Sequence, residues 1–378
     1  MKKKLSFLLV CLITAMMVIN SSITAFAETY DNVDLISNYG VVIDYETGQV
    51  LGGKNIDSKV YPASTTKIWT AYLTVKNTKN LDEPIEITEP PGVDGSCMYL
   101  EVGEIFTVRE LLQGLLIHSS NDAAVVLAKY VSGSVEEFAN LMNEEAKKAG
   151  ALNTHFNNPN GLPDENHYTT ASDMAKIAKS AWMNPLYRKF CTRRYYEIPP
   201  TNKFAEARQL LNHHKMIKNG EYYYEGVLGG KTGYTDASGN TLVTYCRRGN
   251  TTLVAVILNS TSAANAYGDT ASLFDYGFGN FEKTDMKVSM EPVPFKVLPC
   301  DKYILKNNGN TYPFYYKTKV YVTLPKGIDK SQLTKRQAVL QNAAGPLRLK
   351  SKYYYKKQMV GWGMQYERNI VSDLLLAS

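Results

Sequence analysis

Cysteine is scarce in this 378-residue chain: five residues, with no C-x-x-C pair among them. Cys11 falls in a leader segment. Cys97, Cys191, Cys246 and Cys300 are too scattered for a zinc knuckle and too few for a disulfide scaffold, so four separate buried thiols are expected. No serine sits in G-x-S-x-G, and the five histidines (118, 155, 167, 213, 214) include no H-E-x-x-H. The α/β-hydrolase elbow and the commonest zinc-hydrolase pattern are therefore excluded, and neither metal nor cofactor is expected. Charge of one sign is also lacking. The formal +6 falls to +3 when residues 1 to 27 and their three lysines are removed, too little to imply a nucleic-acid partner. Internal repeats, low-complexity tracts and charge blocks do not stand out.

What is present is an ordinary globular composition, 44% hydrophobic and 21% charged, with length for two or three folding units. Met1-Lys2-Lys3-Lys4, an apolar run from Leu5 to Ile19 and Ala25-Phe26-Ala27 are the three parts of a secretory signal. Cleavage is expected after Ala27, the apolar run being short for the roughly 20 residues of a bilayer span. Gly40 to Asp44 and Gln49 to Leu51 flank Glu46-Thr47-Gly48 as a hairpin, and Asn240 to Tyr245 with Thr251 to Leu258 read as a second. Between 107 and 183 the signals are helical throughout, with capping boxes at Thr107/Glu110 and Ser134/Glu137 and a stop at Gly150. Two hairpins bracketing helices predict one mixed sheet closed by the two ends of a first domain, residues 28–281. Residues 282–362, with Pro-punctuated short runs, read as a separate β domain. A tail, 363–378, carries Ile370, Val371 and Leu374 to Leu376 as a short amphipathic stretch.

Three polar clusters carry chemistry. Ser64 and Lys67, three apart at a helix start behind Pro62-Ala63, project from one face, and a lysine of lowered pKa can take the proton of a serine hydroxyl. Alone, the pair also fits a helix cap beside an exposed cation. Ser119-Ser120-Asn121 is a polar knot after Leu115-Leu116-Ile117, readable as helix caps or as a hydroxyl and an amide aimed into a cleft. Lys231-Thr232-Gly233, after Gly229-Gly230, suits a strand edge that receives a peptide ending in a carboxylate. A phosphate loop is excluded because Glu225 stands where G-x-x-x-x-G-K-T needs its first glycine. His213-His214 reads as a surface or supporting pair, and the tyrosines at 222–224 and 353–355 as half-buried strand residues rather than a nucleic-acid platform.

S-x-x-K, S-x-N and K-T-G in this order resemble the signature of penicillin-binding proteins and serine β-lactamases. The wording of Tyr61 to Lys67, Ser119 to Ala123, Asn158 to Leu162, His167 to Ala175 and Gly230 to Ala237 resembles the low-molecular-mass D-alanyl-D-alanine carboxypeptidases, the S11 serine peptidases. That resemblance, over roughly residues 30 to 360, implies an α/β (α+β) fold: a penicillin-binding-protein/β-lactamase-like transpeptidase domain with a mixed antiparallel sheet, plus a small C-terminal all-β domain. It implies Ser64 as nucleophile and Lys67 as its base, with Ser119 and Asn121 assisting proton transfer and positioning. Lys231, Thr232, Gly233 and Tyr234 would form the substrate site, the N–H groups of Ser64 and Tyr234 making the oxyanion hole. The substrate implied is a peptidoglycan pentapeptide, with β-lactams as inhibitors and peripheral association with the outer membrane face. A β-lactamase is the enzymatic alternative. It is disfavoured because Arg208 occupies the glutamate position of its E-x-x-L-N loop in Glu206 to Asn212. An inactive wall-binding scaffold is the non-enzymatic one.

Overall fold

The computed structural model describes residues 31–217, 219–289, 293–296, 311–340 and 347–367. The leader, Cys300 and residues 368–378 of the tail lie outside the described residues.

The main sheet has six strands in the order β1-β3-β2-β10-β9-β8: β1 (Asp31–Asn32), β2 (Tyr39–Asp44), β3 (Val50–Lys54), β8 (Val227–Thr235), β9 (Gly239–Arg248) and β10 (Thr251–Ser260). Among the described residues only the short β1–β3 pairing of this sheet is parallel. β10 is the hinge of the topology, pairing with β2 from one end of the segment (Val256 opposite Val41) and with its hairpin partner β9 (Val256 opposite Val243). Its sequence, Leu253 to Leu258, is an unbroken apolar run because both faces are covered. Val254, Val256 and Leu258 pack into the helical core, while Leu253, Ala255 and Ile257 face the opposite layer.

The helical layer contains α1 (Lys67–Asn77), α2 (Val108–Gln113), α3 (Asn121–Ser132), α4 (Val135–Lys148), α5 (Ala171–Met183) and α6 (Pro185–Cys191). α7 (Ala263–Asn280) covers the other face. α1 is buried nearly all round, with Ile68, Trp69, Ala71, Leu73 and Val75 inside, as a helix apolar on every side requires. Thr107 and Glu110 form a complete capping box, whereas Ser134 caps α4 by accepting the N–H of Glu137. The expected helix end near Gly150 is met, but the expectation of helical signals throughout 107 to 183 fails between 149 and 170. There Asn157 to Leu162, punctuated by Pro159 and Gly161, runs as irregular chain against the start of α1. Two small hairpins flank the helices: β4 (Pro84–Glu86) with β5 (Ile105–Thr107), and β6 (Tyr195–Ile198) with β7 (Arg208–Leu211).

A second sheet follows, with β11 (Phe281–Asp285), β12 (Val293–Lys296), β13 (Thr311–Tyr316), β14 (Tyr321–Pro325), β15 (Thr334–Leu340), β16 (Arg348–Tyr355) and β17 (Gln358–Glu367). It begins one residue before 282 and runs on to Glu367, so residues 363–367 are strand and not part of a helical tail. The Gln358 side chain donates to the Val50 carbonyl at 2.6 Å and Lys283 pairs with Glu46 at 3.0 Å, tying this sheet to the β2–β3 turn. Tyr353 to Tyr355 lie in β16 as expected, but Tyr222 to Tyr224 occupy a turn, Tyr222 stacking on Tyr267.

Candidate active site

Ser64 sits in a 3₁₀ turn, Ala63–Thr66, that runs directly into α1, so Lys67 is the first residue of the buried helix. Ser64 is half-buried and Lys67 fully buried. The Lys67 Nζ lies 2.7 Å from Ser64 Oγ, 2.7 Å from Asn121 Oδ1 and 2.7 Å from the Asn160 carbonyl. The last two partners can only accept. A neutral amine has two N–H bonds to satisfy them, which leaves its lone pair facing the Ser64 hydroxyl. Burial pushes the Lys67 pKa well below its usual value, and the nearby Lys231 lowers it further.

The second cluster is positioned by a departure from regular helix. After α2 the chain makes a π-helical turn, Gly114–His118, and Ser119 then takes a left-handed conformation with φ 64°. Such turns and such strain concentrate at functional sites. The turn ends one helix and aims Ser119 at the third cluster, while Asn121 opens α3. The Asn121 side-chain amide donates to the Asp94 carbonyl at 2.6 Å, fixing which way its oxygen points.

β8 is an edge strand of the main sheet, hydrogen-bonded only to β9 among the described residues. The buried Lys231 donates to Ser119 Oγ at 2.9 Å and to the Thr232 carbonyl at 2.7 Å, and burial pushes its pKa down to about 7. Gly233 has a steric purpose: a Cβ there would come within 2.7 Å of the Ser64 nitrogen and 3.1 Å of the Ala63 side chain. Its absence lets the strand backbone reach the serine. Ser64, Ser119, Thr232, Gly233 and Tyr234 line one cleft of about 350 Å³. The structure thus brings all eight residues singled out in the sequence to one place.

Three contributors were not singled out individually. The Asn160 carbonyl is the third ligand of Lys67; Gly161, at φ +86°, lies so close to the Ala63 carbonyl that a Cβ would meet it at 1.9 Å. His167 is buried, accepting from the Asn157 N–H at 3.1 Å through Nδ1, which leaves Nε2 to donate to Thr66 Oγ1 at 3.0 Å. Burial holds its pKa at about 4, so it serves as a neutral strut beneath the nucleophile turn. Their only sequence signal was the wording around Asn158 to Leu162 and His167. His213 is exposed at the cleft, while His214 is buried against Thr244 at 2.9 Å rather than lying at the surface. Arg208 pairs with the buried Glu104 at 2.8 Å and does not line the cleft. Cys97, Cys191 and Cys246 are separate buried thiols.

A hydroxyl 2.7 Å from a buried amine whose pKa is pushed down, beside an open strand edge bearing a second amine, defines a serine hydrolase site built on a Ser–Lys pair. Comparison with known proteins gives the particular family. Residues 25–262 match the family model Peptidase S11, D-alanyl-D-alanine carboxypeptidase. The D-alanyl-D-alanine carboxypeptidase DacF of Bacillus subtilis is 32% identical over 312 residues, covering 81% of this chain and 77% of that protein. The crystal structure of penicillin binding protein 5 from Haemophilus influenzae superposes with a TM-score of 0.69 at 26% identity, over 89% of this chain and 97% of that one. The Streptomyces K15 DD-transpeptidase matches at TM-score 0.61 and 31% identity, over 65% of this chain and 98% of its own. The chain belongs to the D-alanyl-D-alanine carboxypeptidase family S11 and is a serine-type carboxypeptidase.

Proposed function

We propose that this carboxypeptidase removes the terminal D-alanine from peptidoglycan pentapeptide stems through an acyl-enzyme on Ser64, acting on the outer side of the cytoplasmic membrane after export by residues 1–27. The observation that carries the reading is the buried Lys67 amine, 2.7 Å from Ser64 Oγ and held by the acceptor-only oxygens of Asn121 and Asn160.

In this reading Ser64 Oγ attacks the carbonyl between the two D-alanines as its proton passes to Lys67. The oxyanion is received by the N–H groups of Ser64 and Tyr234, which the closeness of Gly233 to the Ser64 nitrogen brings together. Lys231 and Thr232 hold the terminal carboxylate. Collapse breaks the C–N bond, and the departing amine takes back the proton that Lys67 received from Ser64, with Ser119 assisting the transfer and Asn121 holding Lys67 in position. Among the described residues no carboxylate lines the cleft, so Lys67 is also the base that draws a proton from water as it attacks the ester, releasing the tetrapeptide. The lack of a dedicated carboxylate base supports slow rather than rapid release of a β-lactam acyl group, favouring a penicillin target over a β-lactamase.

Labelling with a fluorescent penicillin, wild type against Ser64→Ala, tests the acyl-enzyme, with D-alanine release from a pentapeptide measured in parallel. A covalent band and release in wild type, both lost in the folded variant, are expected. Release that persists in Ser64→Ala would remove Ser64 from the chemistry, and no band in either protein would point to a scaffold.

A further inference from the structure

The charge of this chain is modest in total but segregated. Residues 28–281 carry 22 Lys and Arg against 29 Asp and Glu, a net −7. Residues 302–366 carry 13 Lys and Arg against Asp329 alone, a net +12. The whole-chain figure conceals this.

The strand register shows where part of that charge goes. In the second sheet Arg348 lies opposite Tyr366, Lys350 opposite Met364 and Lys352 opposite Trp362 across β16 and β17. Arg336 lies opposite Lys352 across β15 and β16, and Tyr315 opposite Tyr366 across β13 and β17. Directly opposed residues share a face, and the alternate positions Leu349, Ser351 and Tyr353 are buried, so this set lies on the face away from the sheet's own core, with Arg336 and Arg348 exposed, Lys350 and Lys352 partly exposed and Lys350 within electrostatic reach of Lys179 of α5. β15 and β16 contain no Asp or Glu.

The cations are also held in place. Lys350 sits 5.0 Å over the Trp362 ring, Arg336 4.9 Å over Tyr354, and Tyr366 lies under both Lys317, at 4.7 Å, and Arg348, at 5.8 Å. Seating a long side chain on a ring reduces the entropy lost when its head meets an anion.

We propose that this face of the trailing sheet docks a linear phosphate polyanion. Charge complementarity selects the partner: a dense polyanion is attracted to residues 302–366 and repelled by the catalytic body, which fixes the orientation of the enzyme on it. A lipid bilayer fits less well, because the rings lie under cations instead of projecting. The large apolar side chains exposed here are Trp362, at 37%, and Leu340, at 42%. The docking surface is independent of the Ser64 chemistry.

The test is equilibrium binding of the full chain to long-chain inorganic polyphosphate, with dextran as the uncharged control. Neutralising about five phosphates predicts that affinity falls on the order of 100-fold between about 50 and about 200 mM salt. The triple variant Arg336→Gln, Lys350→Gln, Lys352→Gln is expected to bind at least about tenfold more weakly, a single tenfold step in affinity being the smallest loss that three of five charges should cause. The control pair Lys189→Gln, Arg194→Gln is expected to bind normally, and all variants to release D-alanine from a soluble peptide at the wild-type rate. A charge-retaining triple, Arg336→Lys, Lys350→Arg, Lys352→Arg, should keep binding, which separates lost charge from lost folding. Failure of wild type to bind at the lower salt, equal binding by the glutamine triple, binding confined to phosphatidylglycerol vesicles, or salt-sensitive self-association in place of polyphosphate binding would each overturn the proposal.

Discussion

Replacing Gly161 by alanine should damage the nucleophile without touching it. The residue has φ +86°, and an added Cβ would lie 1.9 Å from the Ala63 carbonyl oxygen, 2.4 Å from its carbon and 3.0 Å from Thr66 Oγ1. Relief requires the Ala63 turn to retreat by at least about 1 Å, since real Cβ contacts below 3.0 Å essentially never occur. Ser64 is the next residue, and its 2.7 Å contact with Lys67 moves with the turn. A misplacement of that size costs about 100-fold in rate. Left-handed backbone at alanine costs roughly 1–2 kcal/mol besides, for a fall in Tm of a few degrees. Gly133→Ala supplies the control: its φ is +81°, but nothing lies within 4 Å of the added Cβ. The assay is the rate of acylation by a fluorescent penicillin alongside thermal melting. We expect both alanine variants to melt lower and only Gly161→Ala to acylate about 100-fold more slowly. Acylation within about twofold of wild type would show that the 158–162 chain does not buttress the serine, contrary to the geometry.

Other outcomes follow from the buried charges. Lys231, held at about 7, must carry its proton to receive a carboxylate, so kcat/KM for a free-acid substrate should decline as pH rises through about 7. A substrate with that carboxylate esterified should lack the decline, and identical profiles would remove Lys231 from carboxylate recognition. His167 and His214 are both held at about 4 in the fold against 6.5 when free, so the unfolded chain binds more protons between those values. Stability is therefore intact above about pH 6.5 and lost as pH falls toward 4, by about 3 kcal/mol per histidine at about 1.4 kcal/mol per pH unit. Denaturant melts across that range should show the loss, and a flat profile would contradict the burial. Asp269, whose carboxylate accepts the N–H groups of Ile36 at 3.0 Å and Ser37 at 2.6 Å, should cost about 2–4 kcal/mol when changed to alanine, because two donors are orphaned. Urea melts read this, with Asp269→Asn expected to lose less.

The local grammar of the chain was legible where structure is made by neighbours. The turn at Gly48, the Thr107 cap and the hairpin of β9 and β10 each depend on residues a few positions apart, and each is present. Ser64 and Lys67 were readable for the same reason. The reading failed where a residue's environment comes from distant chain. Asn160 contributes a backbone carbonyl, which no side-chain pattern advertises. His213-His214 read as either a surface or a supporting pair, and only β9, through Thr244, decides for the supporting place at His214. The basic face of the second sheet escaped notice because its cations are spread over β15, β16 and Lys317 just past β13, and only cross-strand pairing gathers them.

By itself the sequence determined which reactive groups the protein owns and in what order they occur, because side-chain chemistry and short-range spacing are carried by covalent neighbours. Only the tertiary structure decided that those groups can react. Asn121 reaches Lys67 across 54 residues and Lys231 reaches Ser119 across 112. The loss of water around the two amines, which sets their basicity, is imposed by helices and strands far away along the chain.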